Sequence, residues 1–160
     1  MAILSAALGL WFAANFSTPS CNYGRSTYQH VEEPSWRITF TPLDRRASLS
    51  DMALHLVGPG ANASYWFVYD GGSAPAVALI STTDVTARGW TPPQPEGGVR
   101  PLGSLWVYAM DASMRISFEI PKLRAVPPMY LFVPELSEAL RGSSPRHNLR
   151  PGIFKLTGCR

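Results

Sequence analysis

Proline and glycine punctuate the chain almost throughout, with 15 of the one and 13 of the other in 160 residues. Proline removes a backbone donor and fixes φ, and glycine marks turns, so long regular elements are interrupted repeatedly. Long helices are therefore excluded beyond the first twenty or so positions. Between the interruptions lie short apolar runs, and most of them alternate. Trp36, Ile38 and Phe40 fall on one side of an extended segment over residues 36–43. Period two of this kind describes a strand with one buried face.

The same pattern recurs. Residues 64–69 end at Asp70-Gly71-Gly72, a strong turn signal, and Ala76–Ile80 returns from it, so residues 64–80 read as a hairpin. Residues 104–110 run into Asp111-Ala-Ser, and 114–120 return as a second hairpin. Its hydrophobic alternation sets Met114, Ile116, Phe118 and Ile120 inward and Arg115, Ser117 and Glu119 outward. Residues 129–133 and 152–156 give two more strands. Residues 49–56 suit either a helix or a strand, with the strand favoured by the Gly58-Pro59-Gly60 turn that follows. One helix is predicted near 134–141, where Pro134 starts it, acids come early, Arg141 comes late and Gly142 follows. With no alternation of strands and helices, the expected fold is mainly β: an antiparallel β-sandwich or barrel of about seven strands.

Residues 2–14, AILSAALGLWFAA, are apolar apart from Ser5. That length matches the core of a secretory signal and falls short of the roughly 20 residues that cross a bilayer. No Lys or Arg precedes the run, and no clean small-x-small cleavage site follows it. Residues 1–20 are thus expected to be a signal peptide or a membrane-anchor helix, and 21–160 a single β domain. Membrane association through residues 2–16 is the alternative to cleavage.

Cys21 and Cys159 bracket nearly everything that looks folded. In an oxidising compartment a disulfide between them would close a very long loop. No CxxC and no Cys/His cluster is present, so no metal site is expected. Together with the apolar leader, the cysteines predict an exported protein, periplasmic or extracellular.

Charge is sparse and uneven. Residues 1–99 hold five arginines and seven acids, whereas residues 100–160 hold nine Lys/Arg and four acids. The basic end is separate in sequence from the aromatic strands, so the interleaving that nucleic-acid binding needs is missing and no nucleic-acid partner is expected.

The sequence has no GxSxG, HExxH, Walker or GxGxxG signature, which predicts a protein that is not an enzyme and takes no cofactor. His30, His55 and His147 lie far apart, leaving a hydrolase with an assembled His/carboxylate site as a rival reading. His30-Val31-Glu32-Glu33 is the densest titratable cluster and falls in an expected loop. Asn15-Phe-Ser17 and Asn62-Ala-Ser64 match the glycosylation pattern, which matters only in a eukaryotic secretory pathway.

The aromatics carry the functional expectation. Tyr65, Phe67 and Tyr69 share one face of their strand, and Trp66 and Val68 share the other. Trp106 and Tyr108 share a face, and Trp90 stands at the lip of a proline-rich segment over residues 91–101. Trp and Tyr offer large contact area with a polar tip. Tyr65, Trp66, Tyr69, Trp90, Trp106 and Tyr108 are accordingly the candidate binding residues. The expected role is a small exported binding protein that recognises a protein partner or an envelope polysaccharide. A membrane-anchored structural subunit of an envelope assembly is its first rival. Oligomeric state is open.

Overall fold

The computed structural model describes residues 21–44, 49–71, 76–94 and 97–160. The apolar helix expected within residues 1–20 lies outside them. A short 3₁₀ turn at Tyr23–Arg25 leads into β1 (Ser26–His30), β2 (Arg37–Pro42), β3 (Met52–Val57), β4 (Ser64–Asp70), β5 (Val77–Thr82), β6 (Ser104–Met110), β7 (Ile116–Ser117) and β8 (Tyr130–Phe132). A helix, α1 (Leu136–Gly142), and the final strand, β9 (Ile153–Cys159), complete the chain.

Eight of the strands close on themselves. β1 pairs β2, and pairing continues through β3, β4, β5, β6, β8 and β9 back to β1, every ladder antiparallel. The fold is therefore a barrel rather than a sandwich, and closure removes the sheet edges that an open β layer would leave. β7 stands outside the ring as a short addition to β6.

An eight-stranded barrel has an interior just wide enough to be filled by side chains. Here Tyr28, Ile38, Met52, Leu54, Leu56, Phe67, Leu79, Leu131 and Phe154 fill it, all essentially inaccessible. One end is stoppered by Leu136 and Leu140 of α1 with Leu149 beyond it. The opposite end is closed by the segment 117–128, pinned by backbone hydrogen bonds from Tyr23 and Gly24 to the carbonyls of Ala125 and Leu123, at 3.1 Å each. Tyr28 Oη donates to the Pro128 carbonyl at 2.7 Å, and Leu123 N–H donates to Asp51 Oδ1 at 2.7 Å.

Cys21 and Cys159 form a disulfide, with Cα atoms 5.6 Å apart across a sequence separation of 138. It locks the segment just before β1 to the end of β9, beside the β1–β9 ladder that closes the barrel. A disulfide is compatible with an oxidising location, and among the described residues no helix is long and apolar enough to cross a membrane.

Two expectations are corrected. His30 is not in a loop: it ends β1 and points into the barrel, with a 30–36 connection to β2 closed by the hydrogen bond from His30 N–H to the Trp36 carbonyl. The returning strand over 114–120 shrinks to β7, whose two residues face the opposite way from that expected, while Ile120 packs against the core as expected. Ile116 stands opposite Met110 and Ser117 opposite Ala109, whose side chain packs on the core. Met114, at φ +62°, sits in the left-handed region and adds a residue to the turn, and a slip of one residue turns every side chain over. Met114, Ile116 and Phe118 are consequently exposed rather than buried.

Candidate binding face

Strand pairing decides which of the aromatic candidates can meet a ligand. Tyr65 and Tyr69 alternate with Trp66 and Val68 along β4, and the two tyrosines take the interior side with Phe67. Tyr65 Oη is 3.2 Å from Ser143 Oγ, and its ring meets that of His147 edge-on. Tyr69 is fully enclosed, and burial raises its pKa far above that of a free phenol.

Trp66 lies on the outer side but is covered. His55, its cross-strand neighbour on β3, stacks on it with ring centroids 3.8 Å apart and planes 2° from parallel. Ala53, Val68, Leu43, Ile80, Val85 and Trp90 complete a second small core around it. Trp90 is held in that layer by its indole N–H, which donates to Thr82 Oγ1 at 3.0 Å. The outer wall of β3–β5 is thus a packing layer under the 83–90 segment, and Trp66 is only 8% exposed.

Among the described residues no such layer covers Trp106, and Tyr108 beside it is half-buried. They point outward from β6, since Leu105 and Val107 point in. Tyr108 stands opposite Phe132 of β8, with ring centroids 6.4 Å apart, and Met110 stands opposite Tyr130. Trp106, Tyr108, Tyr130 and Phe132 therefore form one outer face, with Lys155 of β9 beside Tyr130 and Ala78 of β5 beside Trp106. Where β8 has ended, Glu135 takes over: its Oε2 accepts from the Trp106 backbone N–H at 3.2 Å. The face therefore carries an anionic group at one corner and a cationic one at another. Trp106 is 37% exposed, whereas Trp36 and Trp66 are buried and Trp90 is half-buried.

Tyr130, Phe132 and Glu135 were not anticipated. The signal was present in Met129-Tyr-Leu-Phe-Val, whose alternation gives Leu131 and Val133 to the core and leaves both rings on the other side. No known protein family, curated protein or solved structure matches the chain.

The histidines occupy three settings. His30 Nδ1 accepts from the Glu33 N–H at 3.1 Å, so the neutral ring carries its proton on Nε2, which is buried. Burial lowers its pKa, against the opposing pull of Glu33 and Glu32. His147 packs edge-on against Trp36 and Tyr65. His55 Nε2 is 2.8 Å from Ser64 Oγ, the contact of a base with a hydroxyl nucleophile. Asp84, the carboxylate whose charge His55 feels, gives its Oδ1 to the backbone and hydroxyl of Thr86, at 2.8 and 2.7 Å, and makes no hydrogen bond to His55. The pair thus lacks the orienting group that a triad supplies. Among the described residues no cluster of three metal-ligating side chains occurs.

Proposed function

We propose that this chain is a small exported binding protein, periplasmic or secreted and without a catalytic role, that recognises a protein partner or an envelope polymer through the outer face of β6 and β8. The carrying observation is selective exposure. The fold covers Trp36, Trp66 and, in large part, Trp90, yet leaves Trp106 open beside Tyr108, Tyr130 and Phe132. Large rigid aromatics lose little conformational entropy on binding, which is why they anchor interfaces. Glu135 and Lys155 supply a polar rim. Export is supported by the Cys21–Cys159 disulfide, which persists only where thiols are oxidised, and by the apolar run of residues 2–14.

The test is a Trp106→Ala, Tyr108→Ala double variant, compared with the unaltered chain in two assays: cosedimentation with insoluble envelope polysaccharide, and pull-down from an envelope extract. Loss of retention in either assay, with circular dichroism and melting preserved, supports the reading. A well-folded variant that keeps every partner of the unaltered chain removes it.

A further inference from the structure

Closure hides the edges of eight strands, but β7 restores one. Ile116 and Ser117 pair with Met110 and Ala109 along the side of β6 that β5 occupies further on, and no described strand pairs with the other side of β7. Asp111 N–H donates to the Arg115 carbonyl at 3.0 Å, and Ala109 stands opposite Ser117. Arg115 and Ser117 therefore aim their backbone groups at β6. By the alternation of an antiparallel ladder, Ile116 and Phe118 aim theirs away, at the open edge. The side chains of Met114, Ile116 and Phe118 are 53%, 46% and 57% exposed along the same stretch. An edge of this composition is a template for another strand.

We propose that β7 pairs antiparallel with β7 of a second copy of this chain, about a two-fold axis through Ser117. Arg115-Ile-Ser-Phe-Glu119 is self-complementary under that operation. Arg115 faces Glu119 of the partner subunit, Ile116 faces Phe118 of the partner subunit, and the two Ser117 residues meet on the axis. Ile116 and the partner's Phe118 exchange both backbone hydrogen bonds, and the symmetry repeats the exchange. Centring the axis on Ile116 or Phe118 also satisfies the backbone but sets no opposite charges face to face. Both charges are available. The Glu119 carboxylate has no ion-pair partner among the described residues, and Arg115 contacts Asp111 Oδ2 through Nε, at 2.9 Å, with its side chain largely exposed. Such a contact is isologous, so it consumes both edges and stops at two. The edge is continuous with the aromatic face but distinct from it, because Met110 stands between Ile116 and Tyr130.

Sedimentation velocity of the full chain across a concentration series tests this, with three variants. The unaltered chain is expected to show a reversible monomer–dimer equilibrium. Glu119→Arg sets arginine against Arg115 twice per dimer and should weaken association on the order of tenfold. Adding Arg115→Glu to it restores opposite charges and should recover the dimer. Phe118→Pro deletes a donor only at the open edge and should leave a folded monomer. A chain that stays monomeric at its highest soluble concentration overturns the proposal. So does a dimer indifferent to Glu119→Arg and Phe118→Pro.

Discussion

The ring of Trp36 lies against the backbone of Gly58, so close that a β-carbon on Gly58 would stand 2.6 Å from its Cη2 and Cζ3 atoms. Trp36 is fully buried and leads into β2, and Gly58 follows β3 in the turn toward β4. The contact thus ties the β1–β2 and β3–β4 connections together at the helix end of the barrel. Gly58→Ala forces either a wide ring or a turn to move, and overpacking of that kind costs about 1–3 kcal/mol. Gly142→Ala is the control, since nothing lies within 4 Å of its added carbon. It should be neutral or gain up to roughly 1 kcal/mol by helix propensity. Urea unfolding of both variants checks the contrast, and equal effects would contradict the steric account.

The disulfide should matter more than its exposed position suggests. The chain-entropy picture assigns roughly 5 kcal/mol to closing a loop of more than a hundred residues. Because the barrel also closes through the β1–β9 ladder, the folded state should survive without the bond. A Cys21→Ser, Cys159→Ser variant is expected to keep its β circular dichroism and to lose about 2–5 kcal/mol in urea unfolding. A loss below about 1 kcal/mol would mean that the unfolded chain is already restricted.

Stability should fall with acidification through histidine. Burial lowers the folded-state pKa of His30, and of His55, below the ordinary value near 6.5. As pH drops through that range, the unfolded chain takes up protons that the folded chain refuses. The stabilisation is therefore complete above about pH 6.5 and is lost progressively below it. His30→Gln keeps an acceptor for the Glu33 N–H but does not titrate. Its unfolding free energy should vary less between pH 7 and pH 5 than that of the unaltered chain, and His55→Gln should remove part of the remainder. An unchanged slope in both variants would show that other groups control acid sensitivity.

Met114 carries a side chain in a conformation that suits glycine, at φ +62°. The left-handed region costs an ordinary residue roughly 1–2 kcal/mol, part of which glycine gives back as unfolded-state entropy. Met114→Gly should therefore raise stability by about 0.5–1 kcal/mol, seen as a higher midpoint in urea. Destabilisation would mean that the exposed methionine makes contacts its position does not suggest.

The apolar runs identified seven of the eight barrel strands, and the turn and cap residues identified α1. What alternation cannot reveal is closure, because a sandwich and a barrel both bury every second residue. Closure here depends on β1, whose Ser-Thr-Tyr-Gln-His composition hides the strand: Tyr28 is its only large apolar side chain, and His30 is buried in the core beside Phe154. β7 was inverted because its apolar residues suggested an inward face, while pairing with Met110 and Ala109 decided otherwise. On β4 both faces carry large aromatics, so sequence could not say that Tyr65 and Tyr69 would be enclosed. On β6 Trp106 and Tyr108 stayed outward as read, and pairing with β8 brought Phe132 alongside.

The two outward tryptophans should separate scaffold from surface. Trp66 is sandwiched between the sheet and the 83–90 layer, stacked on His55 and surrounded by Val68, Ile80 and Trp90. Removing its ring leaves a cavity that those side chains cannot all collapse into, and Trp66→Ala should cost about 3–5 kcal/mol. Trp106 rests on the wall of β6 with over a third of its surface in water, at 37% exposure. Trp106→Ala should cost about 1 kcal/mol or less, because little packing is lost. Parallel urea unfolding of the two variants reads the difference directly. Equal costs would mean that Trp106 is a structural side chain, and the β6–β8 face would lose its claim to be a surface kept open for a ligand.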